Sequence, residues 1–96
     1  RKNQEVQLLL FTVQDTTGHE SISDRVERGI KGLEEAVSQS LRRGDVATKC
    51  GDVQYVAILT NASYENGMAV AHRIQQKFDD LLQDNTMTLA YEMQSV

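Results

Sequence analysis

Eight consecutive residues, Val6–Val13 (VQLLLFTV), restrict the fold of this chain more than any other stretch. They favour a strand and place apolar groups on both faces of its pleat. Such a strand belongs in the middle of a sheet, with cover on each side. Gln54–Leu59 repeats the pattern on a smaller scale. Two further segments are weaker. Val46–Lys49 is short and polar on one side, as an edge strand is. In Thr86–Met93, Met87, Leu89, Tyr91 and Met93 alternate with Thr88, Ala90 and Glu92, the pattern of a strand with one wet face.

Helical periodicity fills the gaps. After the turn residues Asp15-Thr16-Thr17-Gly18, Ser21 or Ser23 offers a cap, and Val26, Ile30, Leu33, Val37 and Leu41 form one apolar stripe. Gly29 and Gly32 weaken this helix by about 1 kcal/mol each relative to alanine, which points to close packing on a sheet. Gly44 stands where a glycine ends a helix, and Arg42 and Arg43 before it suit the negative end of the helix dipole. Gly51-Asp52 reads as a hairpin apex. Ser63 then caps a second helix with a stripe of Val70, Ile74, Phe78 and Leu81, flanked by Met68, Ala71 and Leu82, and stopped by Gln83-Asp84-Asn85.

The order β-α-β-β-α-β predicts an α+β, ferredoxin-like fold: an antiparallel sheet with the first and third strands central and both helices on one face. That leaves the other face open although the central strands are apolar there. The expectation is that a second copy, or the rest of a longer protein, covers it.

The 96 residues allow one domain, 1–96, and its opening on Arg1-Lys2 without methionine gives the expectation of a fragment of a larger protein. A net charge of −4 argues against direct nucleic-acid binding and against an anionic membrane as partner. The single Cys50 excludes an internal disulfide and fits a reducing, cytoplasmic setting. Apolar runs such as Leu8–Phe11 are far from spanning a bilayer, and no signal peptide is visible. No cofactor is expected.

From Arg42 onward the sequence resembles the second half of a GGDEF domain, the diguanylate cyclase fold. Arg42-Arg43-Gly44-Asp45 matches the family's RxxD motif, Val46–Cys50 its five-residue spacer, and Gly51-Asp52-Val53-Gln54-Tyr55 its glycine–glycine–acid–acid–aromatic signature. Ala71, Arg73 and Ile74 match the helix that follows. The resemblance runs from about Val6 to the C-terminus and implies a truncated GGDEF, nucleotide-cyclase-like fold.

The departures from that family matter more. Its catalysis implies metal-binding carboxylates at the end of the first strand and in the signature. Here the first-strand positions are Thr12 and Gln14, and the signature acids are Val53 and Gln54. Valine cannot ligate a hard cation, and neutral threonine or glutamine replaces an anion poorly. Asp52 stands where a glycine would let backbone approach phosphate. The stretch from Thr12 to Gly18-His19 leaves room only for a turn, so the family's base-reading segment is missing. The expectation is a degenerate, non-catalytic domain of a bacterial signalling or transcription-regulating protein, acting as a dimer or by docking on a neighbouring domain. The resemblance implies one surviving ligand site, Arg42 and Asp45, at which the family grips cyclic di-GMP; no further basic residue is evident beside it. A cyclic di-GMP receptor is therefore the alternative, and a cyclase with displaced ligands a third.

The remaining candidates read as ordinary surface. Asp15, Asp45 and Asp52 lie on separate loops, and His19, His72 and Cys50 have no partner at ligand spacing. Phe11 and Tyr55 lack the basic-glycine-aromatic motif of an RNA-binding sheet.

Overall fold

The structure, a computed structural model, describes residues 5–15, 24–83 and 86–96. The Ser21 or Ser23 cap, the Thr16–Gly18 turn with His19, and Asp84-Asn85 lie outside the described residues. The elements are β1 (Val6–Asp15), α1 (Asp24–Ser40), β2 (Val46–Gly51), β3 (Gln54–Thr60), α2 (Tyr64–Leu82) and β4 (Met87–Ser95). All strand pairs are antiparallel, in the order β2-β3-β1-β4. The α+β, ferredoxin-like expectation is met, with β1 and β3 central.

Strand alternation divides the sheet into two chemically distinct faces. Leu9, Phe11 and Val13 of β1, Ala57 and Leu59 of β3, and Met87 and Leu89 of β4 are buried beneath the helices. They meet Ile30, Leu33 and Val37 of α1 and Ala71, Ile74 and Phe78 of α2. The opposite face carries Leu8 and Leu10, paired in register with Ile58 and Val56. Val46 continues the first of these rows onto β2. Val46 and Ile58 are 57% and 38% exposed, so this aliphatic band has no cover among the described residues.

Three local expectations need correction. The buried stripe of α2 runs Gly67, Ala71, Ile74, Phe78, while Leu81 is 46% exposed. Gly67 belongs inside because the helix backbone lies close to the sheet there: an added Cβ would sit 2.7 Å from Met93 Sδ and 3.0 Å from Gln7 Cγ. The hairpin apex is Asp52-Val53 rather than Gly51-Asp52, since Gly51 still pairs with Gln54, and the register slips between Lys49 and Gly51. Finally, α1 ends at Ser40, so Gly44 is not its terminating residue. It takes φ 98° in a separate turn in which the Asp45 N–H donates to the Arg42 carbonyl at 3.0 Å.

Of the two helix glycines, Gly29 behaves as expected, lying against Val13 and Met87 of the sheet, while Gly32 approaches Leu82 of α2 instead. Ser63 caps α2 by accepting from the Asn66 N–H at 3.1 Å. No helix among the described residues is long and apolar enough to cross a membrane.

Candidate functional site

The stretch Leu41–Leu59 places its two sets of polar residues at opposite ends of β2. Asp45 precedes the strand and Asp52 follows it, which separates them by roughly 20 Å at strand rise. Asp15 is on β1 opposite Met87. These acids therefore do not converge, and no group of three or more His, Cys, Asp or Glu suited to a metal forms among the described residues.

At the hairpin end the sheet register sets Thr12 directly opposite Gln54. The Gln54 amide donates to Thr12 Oγ1 at 3.3 Å. The first-strand and signature positions thus do form one place on the sheet, and what occupies it is a neutral pair. Val53 beside it ties the hairpin to β1 through its carbonyl, which accepts from the Val13 N–H at 2.9 Å. Tyr55, at the aromatic position, points to the helix side and donates to Glu34 of α1 at 2.5 Å. Burial, then the hydrogen bond and negative charge of Glu34, pushes its hydroxyl up to about 12. Cys50 and His72 are exposed.

At the other end Asp45 works as a latch. Its side chain is only 2% exposed and accepts from the Arg42 N–H at 3.0 Å and the Thr60 N–H at 3.2 Å. The guanidinium of Arg42 bridges the same elements, with Nε 3.5 Å from Asp45 and Nη2 donating to the Thr60 carbonyl at 2.8 Å. Helix capping does not account for these residues, because the helix has already ended. The turn they build is fastened to the end of β3.

This latch forms one wall of a cavity of about 280 Å³. Arg42, Asp45 and Leu59 line one side of it, and Asn66, Val70 and Arg73 of α2 the other. Arg73 corrects the expectation that no second basic residue stands beside the pair. Its signal in the sequence was helical spacing: Asn66, Val70 and Arg73 recur every three or four residues after the Ser63 cap and so share one face. Two guanidinium groups around a groove of this size suit an anion with planar hydrogen-bonding edges.

Solved structures with the same fold include a DGC protein from Thermotoga maritima (TM-score 0.76, 9% identity). The active GGEEF domain of a diguanylate cyclase from Vibrio cholerae (TM-score 0.76, 15% identity) is also similar. So is an EAL/GGDEF domain protein from M. capsulatus (TM-score 0.71, 21% identity). The chain is covered over 96%, 96% and 95% of its length, but spans only 64%, 62% and 63% of theirs. No protein-family model and no curated protein matches it. The fold of this chain is therefore that of a truncated GGDEF domain.

Proposed function

We propose that the chain is a non-catalytic, GGDEF-like regulatory module of a bacterial signalling or transcription-regulating protein. It acts in the cytoplasm through self-association or through docking on a neighbouring domain. The observation that carries this reading is the aliphatic band of Leu8, Leu10, Val46, Val56 and Ile58 on the helix-free face. Contiguous apolar surface of this kind is characteristic of interaction sites. The neutral Thr12–Gln54 pair and Val53 support the absence of metal-dependent chemistry, since no carboxylate stands there to hold a cation. Sedimentation at rising concentration should give masses above that of the monomer. A strict monomer refutes self-association, and formation of a cyclic dinucleotide from GTP with Mg²⁺ or Mn²⁺ refutes the non-catalytic reading.

A second reading has its own observation. The cavity between Arg42, Asp45 and Arg73 supports a receptor for cyclic di-GMP. Calorimetric titration with that ligand, repeated on Arg42→Ala and Arg73→Ala, is the test. Heat from the wild-type chain that both variants lose supports the receptor, and its absence at high micromolar ligand removes it.

A further inference from the structure

We infer that the self-association in the proposed function, on which this inference rests, occurs by pairing of β4 with β4 of a second copy, in antiparallel register about Met93. The two edges of the sheet differ in how they are protected. β2 is short, carries Lys49 and has a register slip, all of which discourage a new strand from adding. β4 runs nine residues with no lysine, arginine, proline or bulge.

Backbone direction on β4 follows from one hydrogen bond. The Val96 N–H donates to the Val6 carbonyl, so even-numbered residues of β4 turn their backbone groups towards β1 and odd-numbered residues turn theirs outward. Of the outward groups, the Leu89 carbonyl is already taken by the Gln75 side chain at 2.7 Å. Tyr91, Met93 and Ser95 keep outward N–H and C=O groups with no partner among the described residues. A register centred on Met93 uses all of these groups. A two-fold axis there pairs Met93 with itself and Tyr91 with Ser95, satisfying every one of these groups and leaving the Gln75 contact intact. The same register sets Glu92 opposite Gln94 of the other copy on the helix-free face, where an amide can donate to a carboxylate. Moving the axis to Glu92 would place two carboxylates face to face instead.

The helix above the edge supplies apolar contact at the same place. Gln75 reaches the outer edge of β4, so its stripe of α2 overhangs that edge. Met68 and Tyr64 continue the stripe at helical spacing and are 37% and 55% exposed. Gly67 touches both Gln7 and Met93, which puts the axis of α2 over the gap between β1 and β4. Pairing at β4 then sets the two α2 helices about 10 Å apart, a normal packing distance that Met68 can fill. The product is one continuous sheet whose two aliphatic bands lie on a shared face.

Substitution at the exposed Gln94 tests this without disturbing the core. Gln94→Glu faces Glu92 of the other copy and should weaken the dimer roughly tenfold in sedimentation equilibrium. Adding Glu92→Lys to that variant should restore it. Circular dichroism of the dilute variants reports that each monomer folds. Hydrogen exchange supplies the second readout: at high concentration the Tyr91, Met93 and Ser95 amides gain protection, while Ala90, Glu92 and Gln94 are protected at every concentration. A dimer that leaves the odd amides unprotected and is dispersed by Ile58→Glu, not by Gln94→Glu, overturns edge pairing but keeps the proposed function. A chain that is monomeric throughout overturns edge pairing and the self-association on which it rests, and leaves docking on a neighbouring domain.

Discussion

Replacing Asp45 with alanine should destabilise the fold far more than replacing its ion-pair partner Arg42. The carboxylate is almost fully enclosed and serves two main-chain N–H groups, on Arg42 and Thr60. Hydrogen bonds to a charged acceptor contribute about 1.5–3 kcal/mol each, and the Thr60 amide would be left without a partner. The turn is open to solvent on its outer side, so the lower end of that range applies to each bond. The expected loss is about 3 kcal/mol. For a domain of this size that lowers Tm by about 12–24 °C. The Arg42 side chain, in contrast, is 58% exposed, with Nε 3.5 Å from the carboxylate and a solvent-exposed Nη2 hydrogen bond to the Thr60 carbonyl, which water replaces on truncation. Solvent screens such a pair to about 0–1 kcal/mol, so Arg42→Ala should cost less than about 1 kcal/mol. Urea denaturation of the two variants and the parent chain measures both numbers. An Asp45→Ala loss below about 0.5 kcal/mol, or an Arg42→Ala loss equal to it, would show that the ion pair, not the backbone latch, holds the turn.

Two further outcomes follow from the packing. The Tyr55 hydroxyl has its folded pKa raised from 10.0 to about 12, so its contribution is complete below pH 10 and lost as pH rises through 12. Denaturant titrations at pH 9 and pH 11 should show a steeper alkaline loss in the parent than in Tyr55→Phe; identical pH dependence refutes the raised hydroxyl pKa. Gly67→Ala forces a methyl group against Met93 and the buried Gln7, and should cost about 1–3 kcal/mol by thermal melting. A neutral effect would mean that α2 lies further from the sheet than these contacts require.

The topology was legible because each element carries its own period: two-sided apolar runs for β1 and β3, alternation for β4, and three-to-four spacing for the helices. The sequence points Leu81 inward and gives Gly67 no place in the stripe, both for one reason. Hydropathy ranks leucine above glycine, whereas the sheet selects the residue that lets the helix backbone approach. Arg42 and Asp45 stand out only through the resemblance, and the helix-end reading of Arg42 and Gly44 fails because it takes partners from nearby in sequence. Their partner Thr60 lies beyond the hairpin, at the end of β3. Helical spacing puts Arg73 on one face with Asn66 and Val70, but its nearness to Arg42 depends on where α2 lies against the end of β3. The meeting of Thr12 and Gln54 required the β1–β3 register, which no local pattern supplies.

The pairing of the first strand with the last has a consequence for synthesis. Ser95 Oγ donates to Gln7 Oε1 at 2.8 Å across a separation of 88 residues, and β1 meets β4 along most of its length. The hairpin, latched at its base between Asp45 and Thr60, closes over only 15. On a ribosome the hairpin and β1 are therefore complete while the last strand is still being made, for roughly 2–7 s at ordinary elongation rates. Through that interval one flank of β1 has no neighbour, with Leu8 and Leu10 beside it. The strand that anchors the finished sheet is also the one most open to pairing with an adjacent nascent chain.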